Sequence, residues 1–432
     1  MQEIIKRLKG LRKRKVAKNA MWMIAERVIQ MIISLFVGVI SARYLGPENY
    51  GTLNYGLALV TLFSSIAKLG LESIIVKEYI NNRDKNGLLL GSAFTLRMIS
   101  GILSIITIMI YVSITNPNDH IIFTTTFLQS LILIFEVFDL IDFWFQSQLK
   151  SKYVAIAKTI AYIVMSVYKI ALLILGKSVE WFAFATSFEY IVILIILIIM
   201  YIKNGGQKFK VSIKIGINLL KQSYHFIVSG LLVTVYTQMD KIMIAHYIDQ
   251  TQVGLYSAAT AISSMWGFIP NAIINSMRPT IYEAKERDEQ LYLRRLKQLY
   301  AMVFWCGVFF ALGITVFSKI IVGILYGQEY LGATIPLVIL SWSTIFAYLG
   351  TARGVWVVCE NKNKYTKKYV FWGALVNLIL NAIFIPAIGI NGAAIATLIA
   401  QIIVAIVAPG FYRDTRTSVK HMMDAIFLKG IK

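Results

Sequence analysis

Apolar runs of roughly 20 residues follow one another along the chain, separated by short polar connections. Twelve stand out: 19–43, 50–71, 88–113, 120–140, 153–175, 180–202, 218–246, 253–277, 298–319, 333–358, 367–388 and 391–412. As helices, each is long enough to cross a hydrocarbon layer about 30 Å thick. Stretches such as IVILIILIIM (191–200) lack the period-two alternation of a barrel strand. The pattern predicts an all-α membrane protein of twelve transmembrane helices.

The polar connections differ in kind. The N-terminus and every second connection are crowded with Lys and Arg, as in KRLKGLRKRK, KNGGQKFKVSIK, KERDEQLYLRRLK, KNKYTKK and RDTRTSVK. With their bordering span ends they hold 34 basic residues, against three (Arg43, Lys177, Lys319) in the alternate set and six inside spans. The positive-inside rule then places both termini in the cytoplasm. A basic N-terminal segment (1–18), a cytoplasmic linker (203–217) and a cytoplasmic tail (413–432) frame six-helix bundles at 19–202 and 218–412. The first apolar stretch follows a basic run but is long and lacks a small-x-small site, so it is expected to be a retained span.

Composition agrees. The 432 residues are 57% hydrophobic with a mean hydropathy of +0.67, and only 15% are charged, where a soluble domain would carry roughly a quarter. The net charge of +21 is topological and suits an anionic inner leaflet of membrane lipids. A nucleic-acid partner is therefore not expected. Cys306 and Cys359 are too few for a disulfide framework or a metal site. With four His, no phosphate loop and no Ser-His-Asp order, neither a metal, a cofactor nor an enzyme is expected.

The chain repeats itself. ISARYLGPENYGTLNYGLALV (40–60) aligns without a gap on MIAHYIDQTQVGLYSAATAIS (243–263) at an offset of 203, which pairs Ala42 with Ala245, Tyr44 with Tyr247 and Gly51 with Gly254. Six spans separate the copies, so they are parallel repeats, expected to enclose a central cavity between two bundles.

Polar residues mark its walls. Glu26, Arg27, Gln30 and Ser34 share a side of the first span, and Thr234, Thr237 and Asp240 a side of the seventh. Asn54, Thr61 and Lys68 line the second span, and Asn271, the offset partner of Lys68, lies on the eighth. Arg27, Lys68, Asn271 and Arg278 sit toward the inner ends, where Arg forks and Lys point charges suit phosphate oxygens. Arg97 and Arg353 lie at similar depth. Arg27, roughly 12 Å inside its span, needs a partner or water. Glu72 can hold the anion's place. Set against these readings are helix–helix hydrogen bonding for Ser and Thr and snorkelling or local ion pairing for the cations. Lys169 and Glu189 read as a pair within the first bundle. Asp139 and Asp142, beside Phe143 and Trp144, read as an amphipathic turn.

Four segments carry a family resemblance: ARYLGPENYGTLNYGLALVTLFSSIAKLGL, FWFQSQLKSKYVAIAKT, YTQMDKIMIAHYIDQTQVGLYSAA and GINGAAIATLIAQ. In this order they resemble the Wzx-like oligosaccharide flippases of the multidrug/oligosaccharidyl-lipid/polysaccharide exporter superfamily. The resemblance implies two six-helix bundles in a bacterial inner membrane and, as substrate, an undecaprenyl-diphosphate-linked oligosaccharide for O-antigen or capsule-type synthesis. It also implies a polysaccharide polymerase and chain-length proteins as partners. A Pro often found early in the seventh span is replaced by His225-Phe226. A multidrug cation antiporter would call for an acidic cavity, against the basic inner patch. A membrane glycosyltransferase or polymerase would need larger outer loops and an acidic catalytic cluster.

Reporter fusions at 119, 250 and 390 are expected to report the outer side, and fusions at 210, 290 and 364 the inside. One inverted signal within the series breaks the six-plus-six arrangement.

Overall fold

The structure is a computed structural model that describes residues 2–430, with side chains from residue 36 onward and at Trp22 and Ile33. It is built of α1 (Gln2–Ala67), α2 (Ile75–Asn81), α3 (Asn86–Thr115), α4 (His120–Ser130), α5 (Ile132–Phe135), α6 (Asp139–Ser147), α7 (Ser151–Ile174), α8 (Val179–Lys203) and α9 (Ile213–Tyr247). There follow α10 (Gln250–Ser264), α11 (Phe268–Arg287), α12 (Glu289–Leu325), α13 (Thr334–Cys359), α14 (Thr366–Ile388), α15 (Ile390–Ile402), α16 (Ala408–Phe411) and α17 (Arg416–Ile426).

Among the described residues, nine helical stretches are long and apolar enough to cross a membrane. They match the expected third to seventh and ninth to twelfth spans. The other three expected spans also fall on helix. Residues 19–43 and 50–71 lie mainly on the two arms of α1, broken at Gly46 (φ 71°, ψ 170°). That left-handed conformation favours glycine, and Pro47 restarts the helix from a fixed φ. Residues 253–277 lie on α10 and α11, which a 3₁₀ turn at Met265–Gly267 interrupts. The seventh span is one unbroken helix, α9, through His225-Phe226.

Short polar turns start these helices sharply. The Asp119 side chain accepts a hydrogen bond from the Ile122 amide, and Asp249 from the Gln252 amide, both at 2.8 Å. Asp288 accepts from the Gln290 and Leu291 amides at the head of α12. Each caps donors that the first helical turn leaves unpaired, typically worth about 1 kcal/mol.

The chain forms two compact units. The N-terminal unit holds residues up to Leu45 and 55–231. Its core gathers Leu71, Tyr79, Leu90, Trp144, Phe145 and Leu197. The segment before α9 is strapped to this unit. The Lys210 amide donates to the Gly87 carbonyl at 3.0 Å, and the Gly87 amide to Gln207 Oε1 at 2.8 Å. Gln207 Nε2 donates to the Arg83 carbonyl, and the Ser212 amide to Ser92 Oγ.

The C-terminal unit holds Gly46–Asn54 and everything from Leu232 on. Its core includes Tyr292, Tyr300, Leu349, Trp356 and Met422. Here the repeated turns meet. A Cβ on Gly51 would collide with the Gln250 carbonyl oxygen, and one on Gly254 with the Pro47 carbonyl oxygen. Pro47 and Gln250 are themselves related by the offset of 203, so the contact is reciprocal, backbone against backbone. Tyr50 packs against Tyr326 and Tyr330, ring centroids 6.4 and 6.2 Å away. The short helix α17 docks on α12 through Met422 and Ala425, with Lys297 Nζ 2.8 Å from Asp424 Oδ2. The hydrogen bond from Lys297 holds the Asp424 carboxyl below its usual range. This contribution is present at neutral pH and lost as pH falls through the lowered value.

Gly51→Val should force the two turns apart at a cost of about 1–3 kcal/mol. The purified protein should melt several degrees lower. Gly313→Val, where an added Cβ meets nothing within 4 Å, should leave Tm unchanged. Equal melting of both variants contradicts the contact.

Candidate functional site

Two surfaces of the C-terminal unit differ in character. On α12 the exposed stripe is apolar, with Phe309 83% and Val316 71% exposed, and Ile320 and Ile324 continuing it. Such a stripe suits acyl chains. On α10 and α11 the exposed stripe runs Ser264, Phe268, Asn271, Asn275 and Arg278, spaced as one helix face. Asn271 Nδ2 donates to the Gly267 carbonyl at 2.8 Å, and Arg278 makes no ion pair with a described residue. An exposed Arg and two amides cannot face hydrocarbon cheaply, so this stripe belongs against water.

Thr237, on α9, is also exposed, and its hydroxyl donates to the Thr234 carbonyl at 3.3 Å. Asp240 lies off these surfaces, inside the unit and 5% exposed. Its Oδ2 accepts from Tyr256 at 2.7 Å and Thr397 at 2.6 Å, and its Oδ1 accepts from Asn381 Nδ2 at 2.6 Å. Asn381 also donates to Asn377 Oδ1 at 3.2 Å. Four helices, α9, α10, α14 and α15, thus meet on one carboxylate. Low dielectric strengthens these bonds and makes an unpaired member costly. The cluster offers oxygen donors with a single acidic group. No group of three or more His, Cys, Asp or Glu suited to a metal occurs among the described residues.

In the N-terminal unit, Lys68 reaches Glu136 with Nζ–Oε2 at 3.6 Å. Glu136 is 3% exposed and also accepts from Ser64 Oγ at 2.7 Å. The Glu136 main-chain carbonyl accepts from Arg97 Nη2 at 3.1 Å. Lys68 is therefore half-buried and tethered, with its carboxylate 68 residues away in sequence. Glu72 is exposed and pairs with no described residue. Arg97 is buried, as is Arg353, whose guanidinium donates to the Val404 and Ala405 carbonyls. Both serve the bundle interior.

Asn54 and Thr61 bond back to their own helix, Asn54 Nδ2 to the Tyr50 carbonyl at 2.8 Å and Thr61 Oγ1 to the Leu57 carbonyl at 2.7 Å. The side chains of Glu26, Arg27, Gln30 and Ser34 lie outside the described residues. Asp142 pairs with Lys158 at 2.8 Å and accepts from Gln146, a packing role for this D-x-x-D. Lys169 and Glu189 interact through their charges.

A family model described as polysaccharide biosynthesis protein matches residues 16–285, more than half of the chain. The chain belongs to the polysaccharide biosynthesis protein family. Within reach of this family, it is 21% identical to the capsular polysaccharide biosynthesis protein CapF of Staphylococcus aureus, over 92% of this chain and 99% of that one. It is 28% identical to the probable low-salt glycan biosynthesis flippase Agl15 of Haloferax volcanii, over 44% of this chain and 40% of that protein's length. Among solved structures, the lipid II flippase MurJ in an inward closed conformation superposes with a TM-score of 0.69 at 17% identity, covering 95% of this chain and 90% of that one. An inward-facing MATE multidrug resistance transporter superposes with a TM-score of 0.67 at 15% identity, covering 93% of this chain and 99% of that one. These likenesses give this family member the transporter fold of both, as a multi-pass membrane protein.

The Asp240 cluster predicts a measurable coupling. Asp240→Ala and Thr397→Val should each lower Tm, and the double variant should lower it less than their sum. The coupling should be roughly 0.5 kcal/mol or more. Strict additivity contradicts a shared hydrogen bond.

Proposed function

We propose that the chain flips undecaprenyl-diphosphate-linked oligosaccharides from the cytoplasmic to the outer leaflet of the inner membrane by alternating access, supplying O-antigen or capsule-type polysaccharide. The family match over residues 16–285 carries this reading. The flippase named among its relatives and the MurJ-like fold support it. The exposed stripe of Asn271, Asn275 and Arg278 gives a polar surface for sugars and phosphate. Lys68 adds a second cation, held by Glu136 until a diphosphate competes for it. Arg27, from the first span, completes the basic set in this reading.

Energetics permit export without a further energy source. A diphosphate diester carries about two negative charges, and moving them out of an inside-negative cell releases about 2.3 kcal/mol per charge per 100 mV. A multidrug cation antiporter is the weaker reading, because the exposed charge on the α11 stripe is cationic. Polymerase and chain-length proteins fit as the consumers of the exported unit.

Arg27→Ala and Arg278→Ala should each lower export of the lipid-linked glycan more than they lower protein level, with Lys at either position restoring part of it. The readout is the lipid-linked oligosaccharide accumulating on the cytoplasmic side in a deletion strain complemented by each variant. Equal loss of protein and export contradicts the role of these two residues, and no accumulation in the deletion strain itself contradicts the flippase reading.

A further inference from the structure

A groove of about 450 Å³ lies in the C-terminal unit between α14 and the turn that ends α15. Its wall is apolar: Trp372, Val376, Ile403, Val407 and Phe411, with Tyr412 at one end. The wall owes its shape to a π-turn at Ile403–Val407. A π-turn disturbs the regular i→i−4 ladder and leaves carbonyls in need of donors. Arg353 supplies them, donating Nη2 to the Val404 carbonyl at 2.9 Å and Nη1 to the Ala405 carbonyl at 2.6 Å. Its guanidinium also lies 4.6 Å from the centre of the Tyr369 ring. Arg353 is 3% exposed and pairs with no carboxylate among the described residues. A buried cation therefore stands behind the groove.

The end marked by Tyr412 is built differently. Trp372 Nε1 donates to the Tyr412 hydroxyl at 3.2 Å. Lys368, one turn before Trp372 on the same face of α14, sits 5.1 Å from the Tyr412 ring centre and 5.3 Å from that of Tyr365. Lys364 also lies 5.3 Å from Tyr365. Lys364, Lys368 and Arg413 are all exposed. Nearby, Asp414 is already engaged, by Tyr365 at 2.7 Å and Lys362 at 3.4 Å. Along α14 the face thus runs from Lys through Trp to Val, the order of headgroup, interface and hydrocarbon.

We propose that this groove binds an anionic glycerophospholipid, its acyl chain along Trp372, Val376 and Val407 and its phosphodiester against Lys364, Lys368 and Arg413. An anionic headgroup is favoured over a zwitterionic one because, among the described residues, no free carboxylate faces the rim to receive an ammonium, while the buried charge of Arg353 adds to the attraction. Basic pockets between membrane helices on the cytoplasmic side recognise such headgroups by the same physics. The site is separate from the substrate path proposed above and stands without it.

The test is native mass spectrometry of the full chain in detergent, titrated with phosphatidylglycerol, phosphatidylcholine and a polyprenyl phosphate of matched apolar length. Phosphatidylglycerol should be retained several-fold more than phosphatidylcholine. Combined Lys364→Gln, Lys368→Gln and Arg413→Gln should abolish that preference, and Lys77→Gln, an exposed lysine of the other unit, should preserve it. Val376→Trp, which fills the groove, should reduce retention of phosphatidylglycerol at unchanged Tm. Equal retention of the two phospholipids, or a preference that survives the triple substitution, overturns the proposal. Stronger retention of the polyprenyl phosphate that the same triple substitution removes overturns the assigned occupant.

Discussion

A hydrocarbon layer leaves no charge or peptide group without a partner, and this constraint orders the molecule. Arg97 and Arg353 sit in the bundle interiors because main-chain carbonyls receive them. Glu136 is tolerated because Lys68 and Ser64 face it. Asp240 draws donors from three other helices. Once these groups are satisfied, the polar residues that remain exposed on α11 stand out as a surface that lipid cannot cover at low cost.

The same constraint decided what could be read from the sequence. Lipid demands long apolar helices, so nine spans follow the hydropathy to within several residues at most ends. The second and eighth expected spans are helical but less apolar; Gly46 breaks the helix just before the second, and Met265–Gly267 interrupts the eighth. The repeat was legible because it is local and gapless. Its physical reason was not, since no sequence shows that Gly51 and Gly254 press on each other's preceding turns. The partner of Lys68 was hidden for a similar reason. Glu72 is near in sequence, whereas Glu136 becomes near only when α1 and the turn after α5 share a bundle. The grouping of Arg97 and Arg353 by depth gave no hint of which way each side chain turns. The strap through Gln207 carries no periodic signal, and α17, though amphipathic, is short and polar within a basic tail; tertiary hydrogen bonds and the Lys297–Asp424 pair locate them.

Function rests on two supports of different kinds. Family membership places the chain among polysaccharide biosynthesis proteins, and its fold is that of MurJ and of a MATE transporter. The amides and the cation exposed on α11 support the proposal of an anionic, hydroxyl-rich cargo. The groove beside the π-turn shows the same logic at the periphery. There, buried charge and an aromatic rim shape a surface for one class of lipid.

The central claim is that the α11 stripe faces water within the thickness of the membrane. Thiol labelling tests it most directly, since a maleimide reacts with thiolate and thiolate forms only where water reaches. In a background with Cys306 and Cys359 replaced by Ser, Asn275→Cys should react readily with a water-soluble maleimide in membrane vesicles, while Phe309→Cys and Val316→Cys on the lipid-facing stripe should not. An Asn275→Cys variant as inert as Phe309→Cys would contradict the account.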